Sequence, residues 1–590
     1  MHRSTLHVLA GLGGIFFIGS VVLVNFLPPA AGYEISVYGE LPPIFWISIV
    51  GAMVAGALLI LGAANSPEDR SWFMGIVFLV GSNLILTLLP IIRGYQMYGR
   101  SDAMTHLGYV IDIHETGGID GNLYPPLHII TMTLEEVTGG DPMMIGLFLP
   151  PLFSFVFFGG LVYLAIHYFD SRMSVLLTLP IVLLPVLRHA HLGFRPFDLS
   201  LMLLPIVLFL LLKAQQDLAP KHRVIFVVVL FGILLFHPLT ALFVVILFIG
   251  FNLPSSIPHF VPDSLNPTHF VSLSAAIFLA WYSDFSGIIS RFDRVYQTIV
   301  ADETGDAPVD AYAGTVDQAS PGMVDLIEIG VFRYGIESAL IGLGMLFLGV
   351  LAIESFRTDK RPTLRTLGFG VVFIGFSVAS IFFLVFDLIV PPERPLQIAK
   401  VLSVLFVGAL MYKFTNHATS SPDRQSERLM VVGAVVCLIC LLVTLSVFSM
   451  YFSPLASETN HQVTAMEVEG SEWLSKHGTA AEDLSEFGMR FHRFSEAQGG
   501  TTGSPQFWGE TPPDHFNYHS YEHLGDTYPT DRYLIITQQG RELYPELFPN
   551  YPENWRFSPD DFDDLERDES TDRIYDNGDF NLYFINAIDN

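Results

Sequence analysis

Long apolar runs alternate with polar connections over the first three quarters of the chain. A helix needs about 20 apolar residues to cross the hydrocarbon core of a bilayer. The pattern therefore predicts a polytopic α-helical membrane protein of about 13 transmembrane helices. The predicted runs are residues 6–27, 43–64, 73–92, 143–168, 173–187, 198–212, 224–236, 238–251, 269–283, 336–355, 366–390, 396–414 and 429–452. The runs 224–236 and 238–251 form two helices only if the chain turns at His237-Pro238.

The pattern changes after residue 452. "TAMEVEGSEWLSKHG" (464–478) is typical of an amphipathic helix and "RYLIITQQG" (532–540) of a strand, while "DRIYDNGDFNLYFINA" (572–587) predicts a hairpin that turns at Asn577-Gly578. We therefore expect two domains. Residues 1–452 form the transmembrane domain, with external loops 93–142 and 284–334, and residues 453–590 form a small mixed α/β extracellular domain.

The positions of lysine and arginine predict the orientation of the chain. In membrane proteins, the short loops on the cytoplasmic side are enriched in these residues. The loops 213–223, 355–365 and 413–428 carry three, four and three of them. If these loops face the cytoplasm, an odd number of spans places the N-terminus inside and the C-terminal domain outside. The N-terminal run also has features of a signal peptide, but its length favours an uncleaved first helix.

Charge is concentrated in the C-terminal segment. The whole chain has a formal net charge of −28, and residues 453–590 hold 27 Asp and Glu against 8 Lys and Arg. This acidic surface argues against nucleic-acid binding and favours a halophilic, archaeal source, although an ordinary acidic extracellular domain fits as well. Both cysteines, Cys437 and Cys440, lie in an apolar run, so we expect small hydrophobic side chains there rather than a redox or metal site.

The loop "GRSDAMTHLGYVIDIHETGGIDGNLYPPLH" (99–128) gathers the most candidate chemistry. If residues 101–115 are helical, Asp102 and His106 share one helical face, where they would serve catalysis or bind a divalent cation such as Mg²⁺ or Mn²⁺. The alternative is that Asp102 caps the helix and His106 is a solvated surface residue. Asp112, His114 and Asp120 are predicted to be solvated loop residues.

Three further segments supply candidate substrate-binding residues on the same side of the membrane. In "GNLYPPLH" (121–128), the two prolines are expected to hold the backbone extended, so that the chain re-enters the membrane at a fixed angle with His128 at the head of the next segment. Arg195 in "RHAHLGFRPFDLS" (188–200) and Arg394 in "PPERPLQIAKVL" (391–402) are candidate phosphate ligands. The candidate substrate and lipid-phosphate ligands are Tyr124, His128, Arg195, Glu393 and Arg394. Lipid headgroup contacts by Arg195 and a structural Glu393–Arg394 pair are the alternatives.

The interiors of the predicted spans carry almost no acidic or basic residues. Ion-coupled transporters usually place such residues near the membrane midplane, often in a repeated architecture. The sequence also lacks a Gly-Lys phosphate-binding loop and a Ser/His/Asp nucleophile elbow. The pattern therefore favours chemistry at one face of the membrane.

The chain resembles the GT-C superfamily of integral-membrane glycosyltransferases, which use sugars linked to polyprenyl phosphate on the outer membrane face. The resemblance rests on "SDAMTHLGYVIDIHETGGIDGNLYPPLH" (101–128) as the acidic external loop, on "PPERP" (391–395), and on "GSEWL" (470–474) with "RIYDNGDFNLYFI" (573–585). The resemblance covers the whole chain in layout, whereas its specific motifs cover about a tenth of the chain.

The resemblance implies roles for three residues. Asp102 matches the acid of the external loop, which serves as catalytic base or metal ligand; His106 matches a nearby polar group, and Arg394 matches a late arginine that contacts the carrier phosphate. The chain differs from the family because the loop follows the third helix rather than the first. The C-terminal segment also lacks the Trp-Trp-Asp motif of oligosaccharyltransferases, since Trp473, Trp508 and Trp555 are isolated. This difference favours a single-sugar transferase that uses dolichyl phosphate sugar.

These observations predict a membrane glycosyltransferase that moves a sugar from a polyprenyl or dolichyl phosphate carrier to a glycan or glycoprotein outside the cell. The expected partners are that donor, the acceptor and membrane lipids. Two alternatives are a lipid-linked glycan transporter or flippase and a non-catalytic membrane scaffold of a surface layer.

Overall fold

The structure of the chain is a computed structural model. It describes residues 3–64, 70–119, 121–216, 220–256, 268–300, 322–358, 361–386, 390–419, 425–479, 483–504 and 509–588.

Every apolar run in the sequence corresponds to a helix of the membrane region. The helices that match the predicted runs are α1 (Arg3–Asn25), α3 (Pro43–Ala63), α4 (Ser71–Ile92), α7 (Pro142–Tyr168), α8 (Arg172–Val182), α9 (Pro196–Gln216), α10 (Pro220–Phe236), α11 (Pro238–Asn252), α12 (Thr268–Tyr282), α14 (Met323–Thr358), α15 (Leu364–Val385), α16 (Glu393–Thr419) and α17 (Gln425–Phe448). The connecting helices are α2 (Val37–Glu40), α5 (Asp102–Thr116), α6 (Pro125–Thr138) and α13 (Ser286–Val300).

Nine helices in the described part of the chain are long and apolar enough to cross a membrane. The matching helices α8, α10, α11 and α12 are shorter, with 11 to 17 residues each. The predicted polytopic helical fold is thus present, whereas the number of 13 crossings is not established. The predicted break at His237-Pro238 is confirmed. His237 has an extended backbone (φ −158°, ψ 131°), and Pro238 takes the first position of α11, where its missing N–H costs no hydrogen bond.

The prediction for the Pro-Pro segment is wrong. Pro125 and Pro126 occupy the first turn of α6, rather than an extended segment that re-enters the membrane. Proline suits this position because its fixed φ matches the helix and its missing N–H would be unpaired there anyway. Helix α6 ends after 14 residues, where Gly139 adopts a left-handed conformation (φ 67°), and the next span, α7, begins at Pro142.

The C-terminal segment forms a mixed four-stranded sheet with helices. Its strands are β3 (Asp483–Phe487), β4 (Arg532–Thr537), β5 (Thr571–Asp576) and β6 (Phe580–Ile585), and its helices are α18 (Ala465–His477), α19 (Phe491–Gly499), α20 (Gln538–Leu547) and α21 (Pro559–Leu565). The strand order is β3-β4-β6-β5, with β3 and β4 parallel and the other pairs antiparallel. The predicted α18 and the hairpin β5–β6 are both present, and Gly578 (φ 105°) lies at the hairpin turn.

Buried ion pairs and a short strand pair attach this segment to the membrane bundle. Strand β1 (Met97–Tyr98) pairs antiparallel with β2 (Gln462–Val463). Beside it, Arg100 Nη1 lies 2.7 Å from Glu467 Oε2, and both side chains are buried. Arg93 and Glu34 form a second buried ion pair within the membrane region, and the N–H of Glu34 donates to Gln462 Oε1 at 2.7 Å. Residues 97–100, at the start of the loop that carries α5, are therefore fixed to the C-terminal segment.

A second set of buried charges lies among the helices. The Nζ of Lys400 in α16 lies 2.8 Å from Oε1 of Glu337 in α14, and Nη1 of Arg188 lies 3.6 Å from the same oxygen. Lys400 is fully buried. Burial removes hydration from each ion, so the three side chains depend on one another for compensation.

We expect Lys400→Met to lower the apparent free energy of unfolding in mild detergent by about 3–5 kcal/mol, because it leaves Glu337 buried with less compensation. Lys413→Met is the matched control. Lys413 also pairs with a glutamate, Glu354, but both side chains are about one third exposed, so the loss should be at most about 1 kcal/mol. Equal losses for the two variants would contradict the structural role of the buried pair.

Candidate active site

Asp102 begins helix α5, which lies in the predicted external loop. An acidic residue in the first turn interacts favourably with the helix dipole, and Gly117 ends the helix in a left-handed conformation (φ 67°). The Asp102 side chain is 60% exposed, and its Oδ1 lies 3.5 Å from Nη2 of Arg493 in the C-terminal domain. Arg493 Nη1 also donates to Thr105 Oγ1 at 2.5 Å. Asp102 is thus an accessible carboxylate held beside a cation from another domain.

His106 is buried one turn further along α5. Its Nδ1 lies 3.2 Å from Nε2 of His128 in α6. The pKa of His106 is lowered to about 3, mainly by burial and then by the nearby His237, Arg195 and Arg493, in that order. The imidazole of His106 is therefore neutral at physiological pH.

A row of rings connects α5 with the start of α16. The ring centroids of His106 and Tyr124 are 5.4 Å apart, and Tyr124 stacks on His237 at 5.4 Å. His237 lies 5.3 Å from Phe197, and the guanidinium of Arg394 lies 4.9 Å from the centroid of that Phe197 ring. Residues from α5, from the starts of α6, α9 and α11, and from the first turn of α16 therefore meet at one end of the bundle.

The charges in this region act on one another. Arg195 Nε lies 2.6 Å from Asp198 Oδ2, and the pKa of Arg195 is raised mainly by Asp198, with a smaller contribution from Asp102. The pKa of Tyr124 is raised mainly by burial; the charge of Asp102 raises it further, whereas Arg394 lowers it. We use the name polar cluster for this group, which consists of Asp102, His106, Tyr124, Arg195, His237 and Arg394.

The polar cluster contains most of the residues that the sequence suggested. His128 is fully buried, and it contacts the cluster through the ring of His106. Glu393 faces elsewhere. It lines a cavity of about 840 Å³ together with Arg333, Tyr334 and Leu396, and that lining includes no residue of the cluster. The first turn of α16 thus directs Glu393 and Arg394 to different surroundings.

The donor set around Asp102 and His106 does not fit a Mg²⁺ or Mn²⁺ centre. Such ions prefer several oxygen ligands. Asp102 instead faces the guanidinium of Arg493, and His106 uses its Nδ1 toward His128. In the described ranges, no three His, Cys, Asp or Glu side chains are grouped as metal ligands.

Two parts of the site were missed or misassigned by the sequence analysis. Arg493 was not identified, because it lies almost 400 residues from Asp102 and no local pattern marks it. Asp112 was expected to be a solvated loop residue, but its carboxylate accepts hydrogen bonds from Thr501 N at 3.1 Å and from Thr502 Oγ1 at 3.2 Å. His114 is exposed, as expected, and Asp120 lies outside the described residues.

Helix α19 of the C-terminal domain supports α5 along its length. A Cβ at Gly108 would lie 2.6 Å from the carbonyl oxygen of Glu496, so the absence of a side chain permits this close approach. Helix α19, which carries Arg493, begins where Phe491 N–H donates to Glu486 Oε2 at 2.7 Å. The C-terminal domain thus determines the position of α5 and its Asp102.

Comparison with known proteins gives structural neighbours only. No family model and no curated protein matches the chain. The chain is similar to ArnT from Cupriavidus metallidurans in the apo state, with 12% identity over 86% of this chain and 97% of that chain and a TM-score of 0.47. It is also similar to the Archaeoglobus fulgidus oligosaccharyltransferase tethered to an acceptor peptide with the NVT sequon, with 9% identity over 83% and 72% of the two chains and a TM-score of 0.49.

At these identities and TM-scores the similarity is one of layout, and it carries no argument about reaction, substrate or residue roles.

The support of α19 should depend on pH through Glu486. Burial raises the pKa of Glu486 from 4.5 to about 7, although the Phe491 hydrogen bond and Arg490 act in the opposite direction. A raised carboxyl pKa means that the stabilisation is complete below about pH 4.5 and is lost as the pH rises through 7. We expect Glu486→Gln, which retains an acceptor for Phe491 N–H, to remove this loss, which is on the order of 3 kcal/mol.

The measurement is the apparent free energy of unfolding of the full chain between pH 5 and pH 8. Glu510→Gln is the control, because the Glu510 side chain is 80% exposed. The same pH dependence in Glu486→Gln and in the unsubstituted chain would refute the assignment.

Proposed function

We propose that the protein is a membrane glycosyltransferase that moves a sugar from a polyprenyl or dolichyl phosphate carrier to a glycan or glycoprotein acceptor. In this proposal the reaction takes place on the outer face of the membrane, with the N-terminus in the cytoplasm and the C-terminal domain outside. The observation that carries the proposal is the polar cluster, in which an accessible carboxylate and two arginines meet at the end of an apolar helix bundle.

The cluster has the groups that this transfer requires. The acceptor oxygen attacks C1 of the sugar while the bond from C1 to the phosphate oxygen breaks, and the bonding electrons leave with the phosphate. Asp102 takes the proton of the acceptor hydroxyl. Arg394 and Arg195 stabilise the negative charge that develops on the departing phosphate.

The location of the cluster suits a lipid-linked donor. Arg394 lies in the first turn of α16 and Arg195 directly precedes α9, so both cations lie at the ends of helices that can span the membrane. A carrier whose hydrocarbon chain remains in the bilayer would present its phosphate at this level. Glu393 is assigned no role in this step, because it lines another cavity.

Asp102→Asn and Arg394→Ala should each reduce transfer by at least about 100-fold, because each removes a group that acts on charge in the transition state. The assay follows labelled sugar from a polyprenyl phosphate donor into acceptors in membranes of a strain that lacks the protein, supplemented with purified protein. The controls are Glu115→Gln and Arg357→Ala. Glu115 is exposed on α5, and Arg357 is exposed near the C-terminal end of α14.

Transfer that is unchanged in both Asp102→Asn and Arg394→Ala would contradict the assigned roles. Movement of intact donor across sealed vesicles without cleavage of the sugar–phosphate bond would favour the transporter alternative. A complete lack of transfer by the unsubstituted protein with all donors would favour the scaffold.

A further inference from the structure

We infer that Asn122 and His128 act as positioning residues that hold His106 as a neutral hydrogen-bond donor, with its proton on Nε2. The use of the His106 N–H in catalysis rests on the proposed function. The positions of the protons on the two rings follow from geometry alone.

Asn122 is fixed by the backbone directly before α6. Its Oδ1 accepts a hydrogen bond from Tyr124 N–H at 2.9 Å. The opposite orientation of the amide would place an N–H group against the Tyr124 N–H, so this contact determines which side carries the oxygen. Asn122 is also buried, which leaves its NH₂ group dependent on partners within the protein.

The amide nitrogen of Asn122 then determines the proton on His128. Nδ2 of Asn122 lies 2.7 Å from Nδ1 of His128, which is closer than the 3.0 Å from Oδ1 to the same ring atom. An amide nitrogen always carries hydrogen, so two protonated nitrogens at 2.7 Å would repel each other. Nδ1 of His128 is therefore the acceptor, and the proton of this neutral ring is on Nε2.

The proton on His128 determines the proton on His106 in the same way. Nε2–H of His128 donates to Nδ1 of His106 across 3.2 Å, which leaves the proton of His106 on Nε2. Within the described ranges, no hydrogen-bond partner is assigned to that Nε2. The hydrogen bonds thus run from Asn122 through His128 to His106. The Nε2–H of His106 is left to donate to a ligand.

The surroundings keep this donor neutral. The low pKa of His106, about 3, excludes a protonated ring at physiological pH. His106 contacts Tyr124 edge-on and is close enough to Arg195 for that cation to disfavour its protonation. Its N–H therefore supplies a donor for a substrate oxygen, either the phosphate oxygen beside Arg195 or the acceptor hydroxyl near Asp102. His106 is consequently not a second base beside Asp102.

The direct test is ¹⁵N magic-angle-spinning NMR of the full chain in lipid, with ¹⁵N-labelled histidine. The two rings are assigned by loss of resonances in His106→Asn and His128→Gln. We expect both rings to be neutral at pH 7, with Nδ1 unprotonated and Nε2 protonated. A proton on Nδ1 of either ring, or a doubly protonated ring, would overturn the inference whether or not the protein transfers sugar.

Asn122→Asp should reverse the direction of the hydrogen bonds between residue 122, His128 and His106. A carboxylate accepts but does not donate, so His128 would donate from Nδ1 and accept at Nε2, and His106 would carry its proton on Nδ1. The NMR spectrum should show both tautomers switched, and transfer should fall about tenfold or more. Asn25→Asp, the same change at the exposed end of α1, should alter neither property.

Addition of sugar-free polyprenyl phosphate to the unsubstituted protein identifies the partner of the donor. A shift of the His106 Nε2–H resonance identifies the phosphate oxygen as the partner, whereas an unchanged resonance with the phosphate bound excludes that oxygen and leaves the acceptor hydroxyl. Unchanged tautomers in Asn122→Asp would overturn the positioning role of Asn122. Switched tautomers together with full transfer would remove the catalytic purpose while leaving the proposed function itself intact.

Discussion

Ionised side chains are costly in hydrocarbon, and this constraint determines where chemistry can occur in the molecule. Among the helices, Lys400, Glu337 and Arg188 form one compensated cluster in which every cation contacts the same carboxylate. The accessible charges of Asp102 and Arg195 lie at the ends of helices, and Asp102 lies beside the C-terminal segment. The apolar bundle therefore acts as a support that brings helix ends together, and the polar cluster forms from those ends.

The C-terminal segment is part of this arrangement. Helix α5 carries Asp102, but the strand pair β1–β2, the buried Arg100–Glu467 pair and the hydrogen bonds of Asp112 all connect that region to the C-terminal domain. Arg493 extends the same interface to Asp102 itself. A displacement of the C-terminal domain would therefore move the proposed base relative to Arg394, which is held by the membrane helices.

The sequence predicted those features that depend on local pattern. The helical runs, the break at His237 and the hairpin at Asn577-Gly578 all follow from the spacing of apolar residues and from turn chemistry. The failures involve local ambiguity or distant contacts. Two prolines are compatible with both an extended segment and a helix start, so Pro125-Pro126 was misassigned.

For the site, sequence reasoning identified Asp102, His106, Tyr124, Arg195 and Arg394 as candidates, but not their relation to one another. Neighbours in sequence also gave no guide to orientation, since Glu393 and Arg394 face different surroundings. Arg493 could not have been found, because the contact of α19 with α5 arises only from tertiary packing.

The central claim is that the polar cluster binds the phosphate of a lipid carrier and brings it to Asp102. The most direct measurement is an experimental structure of the full chain in lipid nanodiscs with bound sugar-free polyprenyl phosphate. We predict phosphate density within hydrogen-bonding distance of Arg394 and Arg195, on the side that faces Asp102 and His106. Phosphate bound in the cavity beside Glu393 and Arg333, with the polar cluster empty, would contradict it.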